Sequence, residues 1–202
     1  MNKIGFAMTS SYCTLEKAIE QLENLVEKGY DVHPITSPDV IGKTTRFGCC
    51  KQFKNRIENI TEKPVVSSIV EAEKFGPLEP LDAIIVAPAT GNTVAKLTNG
   101  ITDTPVTMAV KATLRNEKPV VLAIATNDAL GANGPNIISL YYRKNYFLVP
   151  ITQDDPIKKP NSMIADFNMI EPTLEYALNN SQIDNAITKD IRVKMLSASK
   201  KN

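Results

Sequence analysis

Short apolar runs alternate along this chain with longer stretches of helical spacing, and few folds accept that pattern. A strand that is apolar on both faces needs cover on both sides, which points to a parallel sheet wrapped by helices. The clearest such run is "LDAIIVAP", read as the central strand, ending at Pro88. "KIGFAM" (Lys3–Met8), "DVHPI" (Asp31–Ile35), "PVVLAIA" (Pro119–Ala125) and "YFLVP" (Tyr146–Pro150) read as further strands. Between the first two, Leu15, Ala18, Ile19, Leu22, Leu25 and Val26 recur at helical spacing, with Gly29 as the stop. Further helices are expected around Phe47–Ile57, in "TPVTMAVKATLRNEK" with Pro105 in its first turn, and in "GPNIISLYYRKN". A short strand at Val65–Val66 and a short helix from Ser68 complete the middle of the chain.

After Pro150 the rhythm changes. "ITQDDPIKKPNSM" reads as a Pro- and charge-rich loop, and "MIEPTLEYALNN" as a helix with Pro172 near its start. The expected organisation is one α/β domain over residues 1–180, then a peripheral or frayed tail over 181–202. The tail carries Lys189, Arg192, Lys194, Lys200 and Lys201 without a strong apolar face.

Composition removes several classes of function. A formal net charge of +1 over 202 residues gives no general pull toward nucleic acid or an anionic membrane. The apolar stretch of "MNKIGFAMTSS" is too short for a signal sequence, and no run approaches a spanning helix, so a cytoplasmic location is expected. Three cysteines, Cys13, Cys49 and Cys50, are an odd count without metal-type spacing. The single histidine, His33, lies inside the second strand, so a packed core histidine is expected and no metal site.

In open parallel sheets ligands bind beyond the carboxyl ends of the strands. Four such ends carry small hydrogen-bonding residues here: Thr9, Ser10 and Ser11; Thr36 and Ser37; "ATGNT" (Ala89–Thr93); and Thr126, Asn127 and Asp128. Each precedes a helix, so each also suits an N-cap. Four converging on one edge, with free N–H groups and helix dipoles, suit a phosphate or another anion. No G-x-G-x-x-G follows the first strand and no P-loop is present. Asp103, Asp128, Asp154 and Asp155 are available carboxylates, with "DDP" read as a solvated turn, and Arg46, Lys51, Lys96 and Lys111 are cations able to steer an anion.

"APATGNTVAKLTNGITDTPVT" resembles the flavoprotein family of the homo-oligomeric flavin-containing cysteine decarboxylases and the prenyl-flavin enzymes. Pro88, Ala89, Asn92, Thr93, Ala95, Lys96, Gly100, Ile101 and Asp103 match its P-A-S-A-N-T loop and the A-K and G-I-x-D that follow. Thr9 and Ser11 match its T-G-S loop, with Ser10 in place of the glycine. The likeness extends from Lys3 to Pro150 and implies a three-layer α/β/α, Rossmann-like (flavodoxin-like) parallel sheet. It implies FMN held by Thr9, Ser10, Ser11, Ser37, Ala89, Thr90 and Thr93, and a homo-oligomer.

With "ATNDALGANGPNI" and "VPITQDDPIKKPNSMIAD", the chain is more similar to one branch, the dipicolinate synthase B subunits of spore-forming bacteria. That likeness implies oxidation of a dihydrodipicolinate-type dicarboxylate during sporulation, beside an NADP-binding A subunit, in the mother-cell cytoplasm. Asn92, Asn127 and Arg46 are then the candidate substrate contacts, and no catalytic residue is singled out. Two departures bear on chemistry. No histidine occurs in Thr36–Ile60, where the decarboxylases carry theirs, and of their P-x-M-N-x-x-M-W loop only Asn127 survives within Ala125–Leu130. A flavin-binding protein without decarboxylase activity and a non-catalytic scaffold subunit stay open beside the oxidoreductase reading.

Overall fold

The computed structural model describes residues 1–42, 50–184, 186 and 187. Arg46, Cys49 and the start of the helix expected at Phe47 lie outside them, as do the basic residues of the tail from Lys189 onward.

The sheet is built on β1 (Lys3–Met8), β2 (Asp31–Thr36), β3 (Ala83–Ala89), β4 (Val120–Thr126) and β5 (Tyr146–Leu148), all parallel. Their order is β2-β1-β3-β4, with β5 beside the first half of β4. The chain steps outward from β1 to β2 and then back across to β3, so strand order reverses between β1 and β3. All seven residues of β3 are buried, as expected of a central strand covered on both faces.

The helices are α1 (Tyr12–Glu27), α2 (Pro38–Gly42), α3 (Cys50–Thr61), α4 (Ile69–Glu73), α5 (Gly91–Thr98), α6 (Pro105–Arg115), α7 (Gly134–Tyr141) and α8 (Ile170–Leu178). In α1, Leu15, Ala18, Ile19, Leu22 and Leu25 are buried on the face that the spacing marks out. Reciprocal capping boxes start α4 (Ser68 with Glu71) and α6 (Thr104 with Thr107, ahead of Pro105), satisfying first-turn N–H groups. In place of a strand at Val65–Val66 there is one parallel bridge from Val66 to Ile35.

The region after Pro150 departs from the expected loop. Instead of a loop, β6 (Ile151–Asp155) and β7 (Lys159–Ala165) form an antiparallel hairpin, so the sheet is mixed. β7 pairs with the last residues of β4, Ala125 with Ile164 and Thr126 with Met163, above the point where β5 stops. The alternating burial of Ile151–Asp155 is the period-2 signal of a strand, masked in the sequence by its two aspartates and the flanking Pro150 and Pro156. Asp155 closes the turn by accepting from the N–H groups of Ile157 (3.1 Å) and Lys158 (3.0 Å). Beyond α8, the Gln182 amide donates to the Leu148 carbonyl and accepts from its N–H, while Ile183 and Ala186 are buried.

Candidate functional site

The switch between β1 and β3 puts their two carboxyl ends side by side, and Thr9 ties them together. Its hydroxyl donates to the Pro88 carbonyl (2.7 Å) and accepts from the N–H of Thr90 (3.1 Å). Thr90 in turn caps α5 through Thr93, whose N–H it accepts at 3.4 Å. Thr9, Ala89 and Thr93 are buried, so they form the floor of the site and not its lining.

Above that floor lies a cleft of about 740 Å³, open to solvent, walled by the starts of α1 and α5, the end of β4 and the hairpin strand β7. Ser10, Ser11, Thr90, Asn92 and Asn127 all line it. The amides of Asn92 and Asn127 are exposed and have no hydrogen-bond partner among the described residues. Ser37 does not line this cleft. It follows β2, where its Oγ and the Oγ1 of buried Thr36 are shielded from solvent and lack a partner among the described residues. Such atoms ordinarily find partners.

One wall is locked by a network that no single stretch of sequence announces. The Asn133 amide donates to both carboxylate oxygens of Asp128, at 3.0 and 2.8 Å, and the Thr126 hydroxyl donates to Oδ1 of the same carboxylate. The Asn136 amide donates to the side-chain oxygen Oδ1 of Asn133 at 3.0 Å. Gly91, the first residue of α5, packs directly against the group. A Cβ there would stand 2.5 Å from the Thr126 hydroxyl, 2.6 Å from the Asn133 amide and 3.0 Å from Asp128 Oδ1. Only glycine therefore lets α5 start this close to β4.

The positive charge of the lining comes from α1 and the hairpin. Lys17 and Cys13 lie one helical turn apart on α1, and Lys159 of β7 is near enough to Cys13 to interact with it electrostatically. Lys159 pairs with Asp154 at 2.7 Å, and that carboxylate raises the ammonium pKa from its ordinary value. Lys17 forms no ion pair with any described residue. Ser162 donates to the Thr126 carbonyl at 3.3 Å, fastening the hairpin to β4. Lys159, Ser162, Met163 and Ile164 escape sequence reasoning because a segment read as a loop gives no reason to place them at a strand end.

His33 is elsewhere. Its Nε2–H donates to the Asp31 carboxylate at 3.1 Å, its ring meets Phe75 edge-on, and burial lowers its pKa despite Asp31. Lys96 and Asp103, part of the matched motif, pair at 2.8 Å on the outer surface and secure the loop after α5. Among the described residues no cluster suits a metal ion, and no helix is long and apolar enough to cross a membrane.

The flavoprotein family model matches residues 1–144, from β1 through α7 and short of the hairpin. The dipicolinate synthase B subunit of Bacillus subtilis (strain 168) is 48% identical over 181 residues, 90% of each chain. The crystal structure of the dipicolinate synthase B subunit from Bacillus halodurans C superposes with a TM-score of 0.85 at 46% identity, covering 92% of this chain and 95% of that one. The FMN-dependent cysteine decarboxylase SpaF superposes at 0.63 and 20% identity over 89% and 96%, a likeness of fold alone. The chain belongs to the flavoprotein family, in the branch of the dipicolinate synthase B subunits.

Proposed function

We propose that this chain works as the B subunit of a dipicolinate synthase, oxidising a dihydrodipicolinate-type dicarboxylate together with an NADP-binding A subunit in the cytoplasm of a sporulating mother cell. The observation that carries this reading is the cleft beside the β1/β3 switch. It offers neutral amide and hydroxyl donors, an unpaired lysine and two helix N-termini, but neither histidine nor a metal cluster among the described residues. Such a lining suits a small ring bearing carboxylates. Asn92 and Asn127 orient the ring, each offering a donor and an acceptor, and Arg46 is a further carboxylate partner. Likeness over 90% of the Bacillus subtilis protein supports the same substrate class.

A second reading concerns a flavin, and the orphaned hydroxyls of Thr36 and Ser37 favour it. With the open end of α1, whose N-cap Ser11 makes no side-chain capping bond, they form a donor set that fits a phosphate. Ser10, Ser11, Ser37 and Thr90 would hold FMN over the floor formed by Thr9, Ala89 and Thr93, and FMN when bound would supply two-electron chemistry. Ser10 stands where the family has glycine, so close backbone approach is narrower here. Homo-oligomers are the expected assembly on family likeness.

The test is dipicolinate formation from freshly generated precursor with NADP and the A subunit, with and without this chain. Product that appears only, or far faster, with the chain present supports the oxidoreductase reading. No difference rejects it. FMN titration of the purified chain tests the second reading, and a colourless protein that takes up none removes it.

A further inference from the structure

We propose that Asp128 is the catalytic proton acceptor of the oxidation, an inference that rests on the reading above. Aromatising a dihydropyridine dicarboxylate removes two hydrogens from adjacent ring atoms. One C–H bond leaves as hydride to a nicotinamide dinucleotide. The neighbouring C–H gives its proton to a base, and the electron pair left behind becomes the last double bond of the pyridine ring. Asp128 then returns the proton to water. The chemistry therefore needs one proton acceptor beside the ring.

The lining offers few candidates. His33 belongs to another part of the molecule, and Asp154 is held by Lys159. Lysines are poor acceptors in their charged form. Asp128 is the remaining cleft carboxylate among the described residues, and its bonding is unequal. Oδ1 accepts from both Thr126 and Asn133, whereas Oδ2 accepts only from Asn133 and keeps lone-pair capacity. Buried Asn133, braced by Asn136, fixes the carboxylate plane, and Gly91 leaves no side chain to shield it.

Electrostatics sets the ring's orientation. Lys17, Lys159 and the start of α1 bring positive charge to the lining, and Asp128 stands beside Gly91 at the start of α5. A dicarboxylate turns its charged groups toward the lysines and presents its carbon edge to Asp128.

The experiment uses the complex of this chain with the A subunit, comparing wild type, Asp128→Asn and Asp128→Ala. Asp128→Asn keeps an oxygen for Asn133, and the Thr126 hydroxyl can reverse to accept. Its kcat should fall by about 100-fold or more, the scale of general-base loss. Calorimetric Kd for pyridine-2,6-dicarboxylate on this chain alone should stay within about threefold, since binding is carried by the lysines and by the amides of Asn92 and Asn127. Formate should restore part of the turnover to Asp128→Ala and none to wild type. The proposal is overturned if Asp128→Asn keeps kcat within about threefold, or if Kd rises by as much as kcat/KM falls. Failure of formate rescue also overturns it. A wild-type chain without effect on product formation removes the oxidoreductase reading and this inference together. Normal wild-type turnover with an active Asp128→Asn removes only this one.

Discussion

The two ends of the sheet are built on opposite plans. At the amino end charges are matched: Lys63 and His33 both meet Asp31, while Lys118 and the N–H of Lys3 meet Asp82. At the carboxyl end the groups are mostly neutral and several are left open, including the amides of Asn92 and Asn127 and the hydroxyls of Thr36 and Ser37. Hydrogen-bonding capacity used within the chain contributes to stability, and capacity left unused is available to a ligand. The contrast predicts that substitutions at the amino end change melting behaviour alone, while those at the carboxyl end change binding.

The largest effect should come from Gly91→Val. Its branched side chain would enter the space of Thr126, Asn133 and Asp128. A loss of about 3 kcal/mol, the upper range for overpacking, is expected together with loss of dicarboxylate binding. Denaturant unfolding and calorimetry measure the two, and unchanged binding would detach the network from the site.

Thr9→Val comes next. It removes the hydroxyl that joins the ends of β1 and β3 and leaves the Thr90 N–H without its partner, costing about 1–3 kcal/mol in the same unfolding assay. Ligand affinity should weaken with it, because the floor supports Thr90 and the start of α5.

The smallest effect sharpens the comparison from the other side. Burial lowers the pKa of His33 from its ordinary value of 6.5, outweighing the pull of Asp31. The folded state therefore favours neutral imidazole. That contribution is fully present above 6.5, the unfolded value, and is lost as pH falls toward the folded value. Melts at stepwise lower pH should show this decline in wild type and a shallower one in His33→Gln, with ligand affinity following neither.

Much of this contrast is legible in the sequence. The apolar run Ala83–Ala89 and the spacing of Leu15, Ile19 and Leu22 are burial signals, and burial decides secondary structure over long segments. Small polar residues after four strands mark the edge where Ser10, Asn92 and Asn127 line one cleft. The hairpin is hidden because charge and proline dominate Ile151–Lys159, while its pairing partner is the distant end of β4. Gly91 and Asn133 are hidden for a related reason. A close approach between α5 and the start of α7 leaves no trace in either segment read alone.

The most direct test sets one residue from each end side by side in the proposed complex with an A subunit. Product formation with the A subunit, NADP and fresh precursor is measured for wild type, Asn92→Ala and Asp82→Ala. Asn92→Ala should lose about 100-fold or more while its fold is intact, and Asp82→Ala should stay within about twofold. Full activity in Asn92→Ala, or equal losses in both, would contradict the division of labour between the two ends.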